Sequence, residues 1–314
     1  MRAPRQKNIP ASIRQRLLNY ARCHNDNFQA VLTRYGAERF LYRLSRSNYS
    51  DKFVLKGASL FLNWTGEYFR PTKDLDFLSS SSSKLDELVE IIKEICSIRY
   101  KPDGIIFLPR TLYGERIREE QEHGGIRVKF EARLATAHIH LQLDIGYGDI
   151  VIPAPERKEF PTLLELSPPV IQMYPPEAMI AEKLHALVSL GMANSRMKDF
   201  YDLWILANHF EFDGGNISRA IKATFSSRGS DIPGGEPIAL TSAFFDDSGK
   251  QTQWQSFLSK GSFKVKEEKL DNIIKVLRQF LLKPLKAVNE GSNFKASWKN
   301  GGPWQRLNPD SLQS

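Results

Sequence analysis

Two aspartates one residue apart give the strongest chemical signal in this sequence. Asp74 and Asp76 flank Leu75 in segment 74–78, which alternates polar and apolar residues and is typical of a β-strand. Residues two apart on a strand project from the same face, so both carboxylates would point the same way. A divalent cation removes the repulsion between them, and Mg²⁺ prefers carboxylate oxygens, with water and substrate phosphates completing its coordination. The pair therefore predicts a metal site, although surface strands that bind nothing also carry this spacing.

A third carboxylate follows later in the chain. Asp144 lies within the apolar run 141–145, where a lone charge would be costly without a metal or a partner. A two-metal site normally takes a third carboxylate from a neighbouring strand, and its two ions activate an attacking hydroxyl and stabilise departing pyrophosphate. Asp144 is therefore the candidate that completes the site.

A turn with the composition of a phosphate site precedes the aspartate pair. Gly57, Ala58 and Ser59 lie where an apolar run, 53–55, leads into a helical stretch, 60–64. Backbone N–H groups at a helix N-terminus attract phosphate, and the Ser59 hydroxyl is a further donor. Lys56 and Arg70 supply positive charge nearby. Each feature alone is more often structural, but together and in this order they favour a nucleotidyltransferase site.

Helical and strand patterns alternate around these residues. Amphipathic periodicity predicts helices at 9–46 (two helices), 84–97, 177–190, 197–210 and 265–282, and β-rich segments predict a meander over 99–149. Prolines between residues 153 and 176 mark a domain boundary. The sequence therefore predicts an α/β protein with an N-terminal domain, 1–160, a mainly helical domain, 161–288, and a disordered tail, 289–314.

Composition restricts the class of protein. Of 314 residues, 41% are hydrophobic and 25% charged, which is ordinary for a soluble globular chain. No apolar run approaches the roughly 20 residues of a membrane-spanning helix, and the basic N-terminus lacks the apolar core of a secretory signal. Cys23 and Cys96 are far apart and fit reduced thiols. We therefore expect a cytoplasmic protein without a membrane partner.

The net charge of +8 gives weak support to a polyanionic partner. Six basic residues of the predicted meander could form an RNA-facing surface, namely Arg110, Arg116, Arg118, Arg127, Lys129 and Arg133. The alternative is a set of solvated positions, because acidic residues are interleaved with them at Glu115, Glu119, Glu120 and Glu122.

Beyond the individual residues, the order of the motifs resembles a known superfamily. A G-[GAS]-S turn, a D-x-D pair and a later strand aspartate resemble the DNA polymerase β-like nucleotidyltransferases. More closely, the segments FVLKGASLFLNW, RPTKDLDFL, LQLDIGYGD and MIAEKLHALVSLGMANSRMKDFYDLWIL resemble the AbiEii/AbiGii-type nucleotidyltransferase toxins of bacterial abortive-infection and toxin–antitoxin systems. The likeness runs from about residue 9 to about residue 257. It implies a mixed β-sheet core with N-terminal helices and a helical C-terminal domain.

The resemblance also implies roles for single residues. Gly57 and Ser59 match the phosphate-binding motif, Asp74 and Asp76 the metal-binding pair, and Asp144 the third strand carboxylate. Ala58 stands where many relatives have glycine or serine, which leaves the backbone N–H in place.

Three residues of the helical half match the family as well. Lys183 matches a lysine expected to contact the phosphates of the nucleotide, and Asp199 and Asp202 fall in a segment where one aspartate is needed for activity. From the residues alone, Lys183 fits a lysine whose stem covers the core while its ammonium reaches solvent. Asp199 and Asp202 share a helix face, so structural pairing with Arg196, Lys198 or Lys183 is the alternative.

The expected activity follows from this resemblance. It is Mg²⁺-dependent, with Mn²⁺ as an alternative, and transfers a nucleoside monophosphate from a nucleoside triphosphate to an acceptor hydroxyl. The resemblance further implies the 3′ end of tRNA as acceptor, a block of translation and a cognate antitoxin. Two alternatives stay open: nucleotidylation or phosphorylation of a protein, and a non-catalytic RNA-binding module on the same fold.

Overall fold

The chain forms two compact units in the computed structural model, which describes residues 8–117, 124–261, 263–265 and 268–306. The first unit comprises Met1–Glu67, Thr72–Gly148 and Glu156–Met173. The second comprises Tyr68–Pro71, Asp149–Pro155 and Tyr174–Ser314. Both helices and strands are abundant, so the predicted mixed α/β class is confirmed. Residues 161–173, which the sequence prediction gave to the second domain, belong to the first unit.

The first unit carries one large sheet with helices packed on it. Its helices are α1 (Ile9–Cys23), α2 (Phe28–Ser45), α3 (Leu60–Thr65) and α4 (Leu85–Ser97). Its strands are β1 (Phe53–Lys56), β2 (Asp74–Ser79), β3 (Ile105–Ile117), β4 (Gly125–Leu134), β5 (Ala137–Gly146), β6 (Glu156–Glu159) and β7 (Val170–Met173). The last two strands lie in the proline-rich stretch between residues 153 and 176, where the sequence predicted a domain boundary.

The seven strands pair in the order β3-β4-β5-β2-β1-β7-β6. β2 runs parallel to β5 and β1 parallel to β7, whereas the other pairs are antiparallel. Alternation along β2 and β5 buries Leu75, Phe77, Leu143 and Ile145 on one face. α2 packs there so closely that a Cβ at Gly36 would lie 2.9 Å from the Ile139 side chain. The opposite face of β3, β4, β5 and β2, hereafter the polar face, carries their charged side chains.

Local signals in the sequence account for the two leading helices. Asn8 and Asn27 cap α1 and α2, because their side chains accept hydrogen bonds from backbone N–H groups three residues later. α1 then buries Ile13, Leu17 and Ala21 at helical spacing. The predicted pair of amphipathic helices is confirmed.

The second unit is mainly helical. Its helices are α5 (Pro176–Leu190), α6 (Met197–His209), α7 (Gly214–Ser227), α8 (Ser242–Phe245), α9 (Ser248–Ser259) and α10 (Leu270–Asn289). Three short strands, β8 (Phe212–Asp213), β9 (Ala296–Trp298) and β10 (Trp304–Arg306), form a sheet in the order β10-β9-β8. None of the helices among the described residues is both long enough and apolar enough to cross a membrane.

The segment predicted as a disordered tail is ordered as far as residue 306, and residues 307–314 lie outside the described residues. Trp298 is fully buried, and its indole N–H donates to the Ala207 carbonyl over 2.7 Å. α10, predicted to end at residue 282, continues through Pro284. Proline has no N–H to offer the carbonyl of Phe280, and the Trp304 indole donates to that oxygen instead, at 2.8 Å. The tail therefore completes the hydrogen bonding of α10.

Candidate active site

Strand pairing brings the three aspartates together. In the parallel pairing of β2 with β5, Asp74 lies opposite Gln142 and Asp76 lies opposite Asp144. One carboxylate oxygen from each aspartate lies within 4.8 Å of the others. Asp144 is 7% exposed, and the other two are half-buried. The two aspartates of β2 and the buried aspartate of β5 thus form one cluster on the polar face.

The cluster has the donor chemistry that a hard divalent cation requires. An octahedral Mg²⁺ holds oxygens at about 2.0–2.1 Å, so neighbouring ligands are about 3 Å apart and opposite ones about 4 Å. Oxygens within 4.8 Å of one another need only small side-chain rotations to reach such a geometry. The Thr72 hydroxyl, 3.2 Å from Asp74 Oδ1, donates to that carboxylate and helps to orient it. The three aspartates therefore fit a metal site of the predicted kind.

A row of charges crosses five strands at the level of this cluster. The register places Lys56 opposite Asp76, Asp76 opposite Asp144, Asp144 opposite Arg127, and Arg127 opposite Glu115. Asp76 and Asp144, which are adjacent, thus have Lys56 on one side and Arg127 on the other. These two cations offset the repulsion between the two carboxylates when no metal is bound.

Arg127 makes the most specific contact in this row. Its Nε donates to Asp144 Oδ1 at 2.8 Å and its Nη2 to Oδ2 at 2.7 Å, a two-pronged ion pair. Gln142 Nε2 donates to Oδ1 as well, at 3.1 Å. The hydrogen bond to Asp144 raises the pKa of Arg127, so the guanidinium stays charged. The sequence placed Arg127 only in a basic patch and did not single out Gln142, because both contacts depend on strand register.

The turn after β1 lies directly against Asp76. Gly57 has φ +78°, a left-handed conformation that favours glycine. A Cβ at this position would lie 2.9 Å from both Cβ and Cγ of Asp76, with a carboxylate oxygen closer still. Lys56 directs its ammonium to the polar face, where Nζ lies 4.0 Å from the position that Cβ would occupy at Gly146. Ser59 is buried, and its hydroxyl lies 3.5 Å from the Lys56 carbonyl oxygen.

The remaining predicted site residues belong to the second unit and form an ion-pair cluster there. Lys183 Nζ lies 2.6 Å from Asp199 and 2.9 Å from Asp202. Arg70 holds both oxygens of Asp202, at 2.6 and 2.8 Å, and Arg196 lies 2.9 Å from Asp199. Both aspartates are fully buried, and the Lys183 side chain is 12% exposed. Of the pairings considered from the sequence, those with Lys183 and Arg196 are present.

Electrostatics within this cluster favour the charged forms. Burial alone would lower the pKa of Lys183, but Asp199 and Asp202 outweigh it and raise the value. Burial likewise opposes ionisation of Asp202, yet Arg70 and then Lys183 lower its pKa to about 2. The cluster is therefore a set of mutually dependent charges, in which loss of one member leaves another buried without its counter-ion.

A second polar cluster in this unit surrounds His185. Arg228 donates to Asp149 through Nε at 3.1 Å and Nη2 at 2.9 Å, and its Nη1 donates to His185 Nδ1 at 3.2 Å. Because Nδ1 accepts, Nε2 carries the proton and donates to the Ser230 hydroxyl at 2.9 Å. Burial, assisted by Arg228, lowers the pKa of His185 to about 4. His185 is thus held as the neutral tautomer.

The structure divides the predicted basic patch. Register places Arg127, Lys129 and Arg133 on the polar face of β4, whereas Arg116 pairs with Ile126 and donates to the Ser83 carbonyl. Arg110 is exposed at the irregularity in β3. Arg118 and the acidic Glu119, Glu120 and Glu122 lie outside the described residues. Lys129 pairs with Glu115 at 2.8 Å, so part of the basic charge is balanced locally.

Comparison with known proteins gives one family. A family model described as "Nucleotidyl transferase AbiEii toxin, Type IV TA system" matches residues 39–276, more than half of the chain. Among solved structures, JHP933 from Helicobacter pylori is 17% identical with a TM-score of 0.45, over 84% of this chain and 91% of that one. A putative nucleotidyltransferase from H. pylori is also 17% identical, with a TM-score of 0.48 over 84% and 94%. The curated proteins contain no match.

Proposed function

Because the chain belongs to the AbiEii family of nucleotidyl transferase toxins of type IV toxin–antitoxin systems, we propose that it transfers a nucleoside monophosphate from a nucleoside triphosphate to an acceptor hydroxyl. The observation that carries this proposal is the convergence of Asp74, Asp76 and Asp144 on one sheet face. Three carboxylate oxygens within 4.8 Å of one another repel, and a divalent cation bound between them removes this repulsion.

Asp74, Asp76 and Asp144 would hold Mg²⁺, or Mn²⁺ in its place. Bound there, the metal would neutralise charge on the triphosphate and lower the pKa of the attacking hydroxyl. Asp144, the most buried of the three, would accept the proton of that hydroxyl. Before a metal binds, the two-pronged contact with Arg127 holds this carboxylate in place.

The triphosphate would lie on the β1 side of the aspartates. Gly57 allows the turn to approach Asp76 without a side chain between them. Lys56 extends its ammonium over the polar face, and Ser59 follows at the start of α3. In the second unit, Arg70 and Lys183 are proposed to bind nucleotide phosphate, with Asp199 or Asp202 required for activity.

The acceptor is proposed to be the 3′ end of an RNA, with tRNA as the leading candidate. Tyr113 on the polar face of β3 is 60% exposed, and register places it opposite the exposed Lys129. Exposed Arg133 follows on the same face. An accessible aromatic ring beside basic residues suits a single-stranded nucleic acid, whose bases stack while its phosphates meet cations. A cognate antitoxin and a cytoplasmic site of action complete the proposal.

Label transfer tests this function directly. Purified protein is incubated with Mg²⁺, total tRNA and each nucleoside triphosphate, labelled at either the α- or the γ-phosphate. We expect α-label in tRNA, and a loss on the order of 1,000-fold for Asp74→Asn, because metal catalysis supplies several kcal/mol of barrier lowering. Asp86→Asn, which removes an exposed acid of α4, is the matched control and should leave transfer unchanged.

Other outcomes of the same experiment point elsewhere. Label from the γ-position would show phosphorylation, and label recovered in protein would show a protein acceptor. Transfer that survives Asp74→Asn would remove the aspartates from the mechanism. No transfer under any condition, with RNA still bound, would favour a non-catalytic RNA-binding module.

A further inference from the structure

The Arg127–Asp144 contact occupies most of the binding capacity of that carboxylate. An ionised carboxylate offers about four lone-pair sites on its two oxygens. Arg127 takes one site on each oxygen, and Gln142 takes a second one on Oδ1. Among the described residues no further donor reaches this carboxylate, so Oδ2 keeps one open site, on a side chain that is 8% exposed.

Arg127 and a metal would also share one negative charge. A guanidinium 2.7 Å from Oδ2 already balances Asp144, and a dication bound to the same oxygen would lie within a few ångströms of that guanidinium. Like charges at such distances repel strongly where burial limits water. Full occupancy of Asp144 by both cations is therefore unfavourable.

We propose that Arg127 is a resident counter-ion that competes with the divalent metal for Asp144 and thereby sets the affinity of the metal site. This inference rests on the proposed function. Without metal, Arg127 neutralises the cluster, and on metal binding it gives up its hold on Asp144. Arg127 is thus a positioning residue, which acts on the metal site through Asp144.

Glu115 provides the arginine with a second partner. It lies directly opposite Arg127 in the antiparallel pairing of β3 with β4, on the side away from Asp144. A guanidinium that leaves Asp144 can therefore move towards another carboxylate on the same face. Lys129 now holds Glu115 at 2.8 Å, so a shift of Arg127 would rearrange this pair as well.

A different role for Arg127 makes the opposite prediction. Partners that orient a metal ligand raise metal affinity, and their loss typically weakens binding by about 10–100-fold. A competitor lowers metal affinity, so its loss strengthens binding. The sign of the change in affinity separates the two roles.

Calorimetric titration of the metal-stripped full-length protein with Mn²⁺ alone measures this sign without any catalysis. We expect Arg127→Met to bind Mn²⁺ at least about tenfold more tightly than the unaltered chain, or about 1.4 kcal/mol. Arg127→Lys, which keeps the charge and loses the two-pronged contact, should lie between them. Lys158→Met removes an exposed cation from β6, at the far edge of the same sheet, and should change the affinity by less than about twofold.

Glu115 is tested by a second pair of variants. Glu115→Gln should weaken Mn²⁺ binding, because Arg127 then loses the carboxylate opposite it on β3, and this effect should vanish in the Arg127→Met background. Glu131→Gln, on the same face of β4, controls for simple loss of negative charge. Circular dichroism and thermal unfolding verify that each variant is folded.

The outcomes separate this inference from the proposed function. Equal or weaker Mn²⁺ binding by folded Arg127→Met, or the same weakening by Glu115→Gln in both backgrounds, would overturn the competition. If the unaltered chain bound no Mn²⁺ at millimolar concentration, both the metal-dependent function and this inference would fail. Tight binding that is insensitive to Arg127 would overturn the inference alone.

Discussion

Gly57 and Asp76 are in such close contact that the site depends on the absence of a side chain at residue 57. The backbone there has φ +78°, and a Cβ would come within 2.9 Å of both Cβ and Cγ of Asp76. The turn can therefore lie against Asp76 only if residue 57 is glycine. The same contact joins the proposed phosphate-binding turn to the proposed metal site.

Gly57→Ala should consequently impair the site more than it impairs the fold. The left-handed backbone costs a non-glycine residue about 1–2 kcal/mol, and the overlap with the new Cβ would also displace Asp76, a proposed metal ligand. Urea unfolding should show this loss of stability, and calorimetry should show Mn²⁺ binding weakened by at least about tenfold. Gly66 is a matched control, since it has φ +77° and a Cβ added there would meet nothing within 4 Å. Gly66→Ala should cost similar backbone strain and leave metal binding intact; equal effects of both substitutions on metal binding would contradict the contact.

Lys183 is predicted to stabilise the second unit whatever its role towards nucleotide. In the part of the chain that the structure describes, Lys183→Met leaves Arg196 as the single cation paired with Asp199. The Arg196 side chain is 41% exposed, while Asp202 keeps Arg70. Breaking a buried ion pair typically costs about 3–5 kcal/mol, so we expect a clear fall in the urea midpoint. Arg196→Met removes the more exposed partner and should cost less than about 1 kcal/mol.

Activity measurements separate the two roles of this lysine. If Lys183→Met is stable and only the KM for the nucleotide rises, Lys183 binds phosphate and does not support the fold. If stability falls and the properly folded fraction keeps its KM, the ion pairs explain the residue.

His185 should make stability fall with acid between pH 6.5 and 4. Its folded pKa of about 4 lies below the ordinary 6.5, so in this range the unfolded chain binds a proton that the folded chain does not. The contribution of neutral His185 is complete above pH 6.5 and is lost as the pH approaches 4, by roughly 1–3 kcal/mol. Unfolding free energies measured across this range should decline less in His185→Gln. His138→Gln, an exposed histidine of β5, should show the original slope, and parallel slopes in all three proteins would refute the prediction.

The Trp304 indole is predicted to matter because of Pro284. Trp304→Phe keeps most of the apolar contact but leaves the Phe280 carbonyl without its donor, at a cost of about 1–3 kcal/mol. Pro284→Ala restores a backbone N–H four residues after Phe280, so the same tryptophan substitution should cost less in that background. Thermal unfolding of the four proteins of this double-mutant cycle measures the coupling. Additive effects would show that the indole and the proline are independent.

The sequence was informative where function depends on spacing along one element. The same-face carboxylates of β2 and the buried charge of β5 follow from alternation alone, and the leading helices follow from their caps and apolar stripes. What could not be predicted depends on pairing between distant segments. Arg127 reaches Asp144 only because β4 and β5 pair in one register, and Lys183 meets Asp199 and Asp202 only because α5 and α6 pack together.

Two regions of the second unit were missed for identifiable reasons. The segment after residue 289 is rich in Gly, Ser, Asn and Lys, and this overall composition predicted disorder. The same segment contains three aromatic residues, Phe294, Trp298 and Trp304, whose rings pack together with Phe280. α7 begins with two glycines, which argue against a helix. Asp213 caps it nonetheless, by accepting from the Asn216 N–H, and Ile217, Ile221 and Phe225 form its buried stripe.

The parallel pairing of β2 with β5 determines when the site can form during synthesis. Parallel neighbours cannot be joined by a tight turn, and here α4, β3 and β4 must be made between them. A ribosome therefore releases Asp74 and Asp76 well before their partner Asp144, and β7 joins β1 only after residue 173 has emerged. The nascent chain consequently lacks the complete carboxylate cluster until Asp144 has been made, and we expect an interrupted product that ends before β5 to have no nucleotidyltransferase activity.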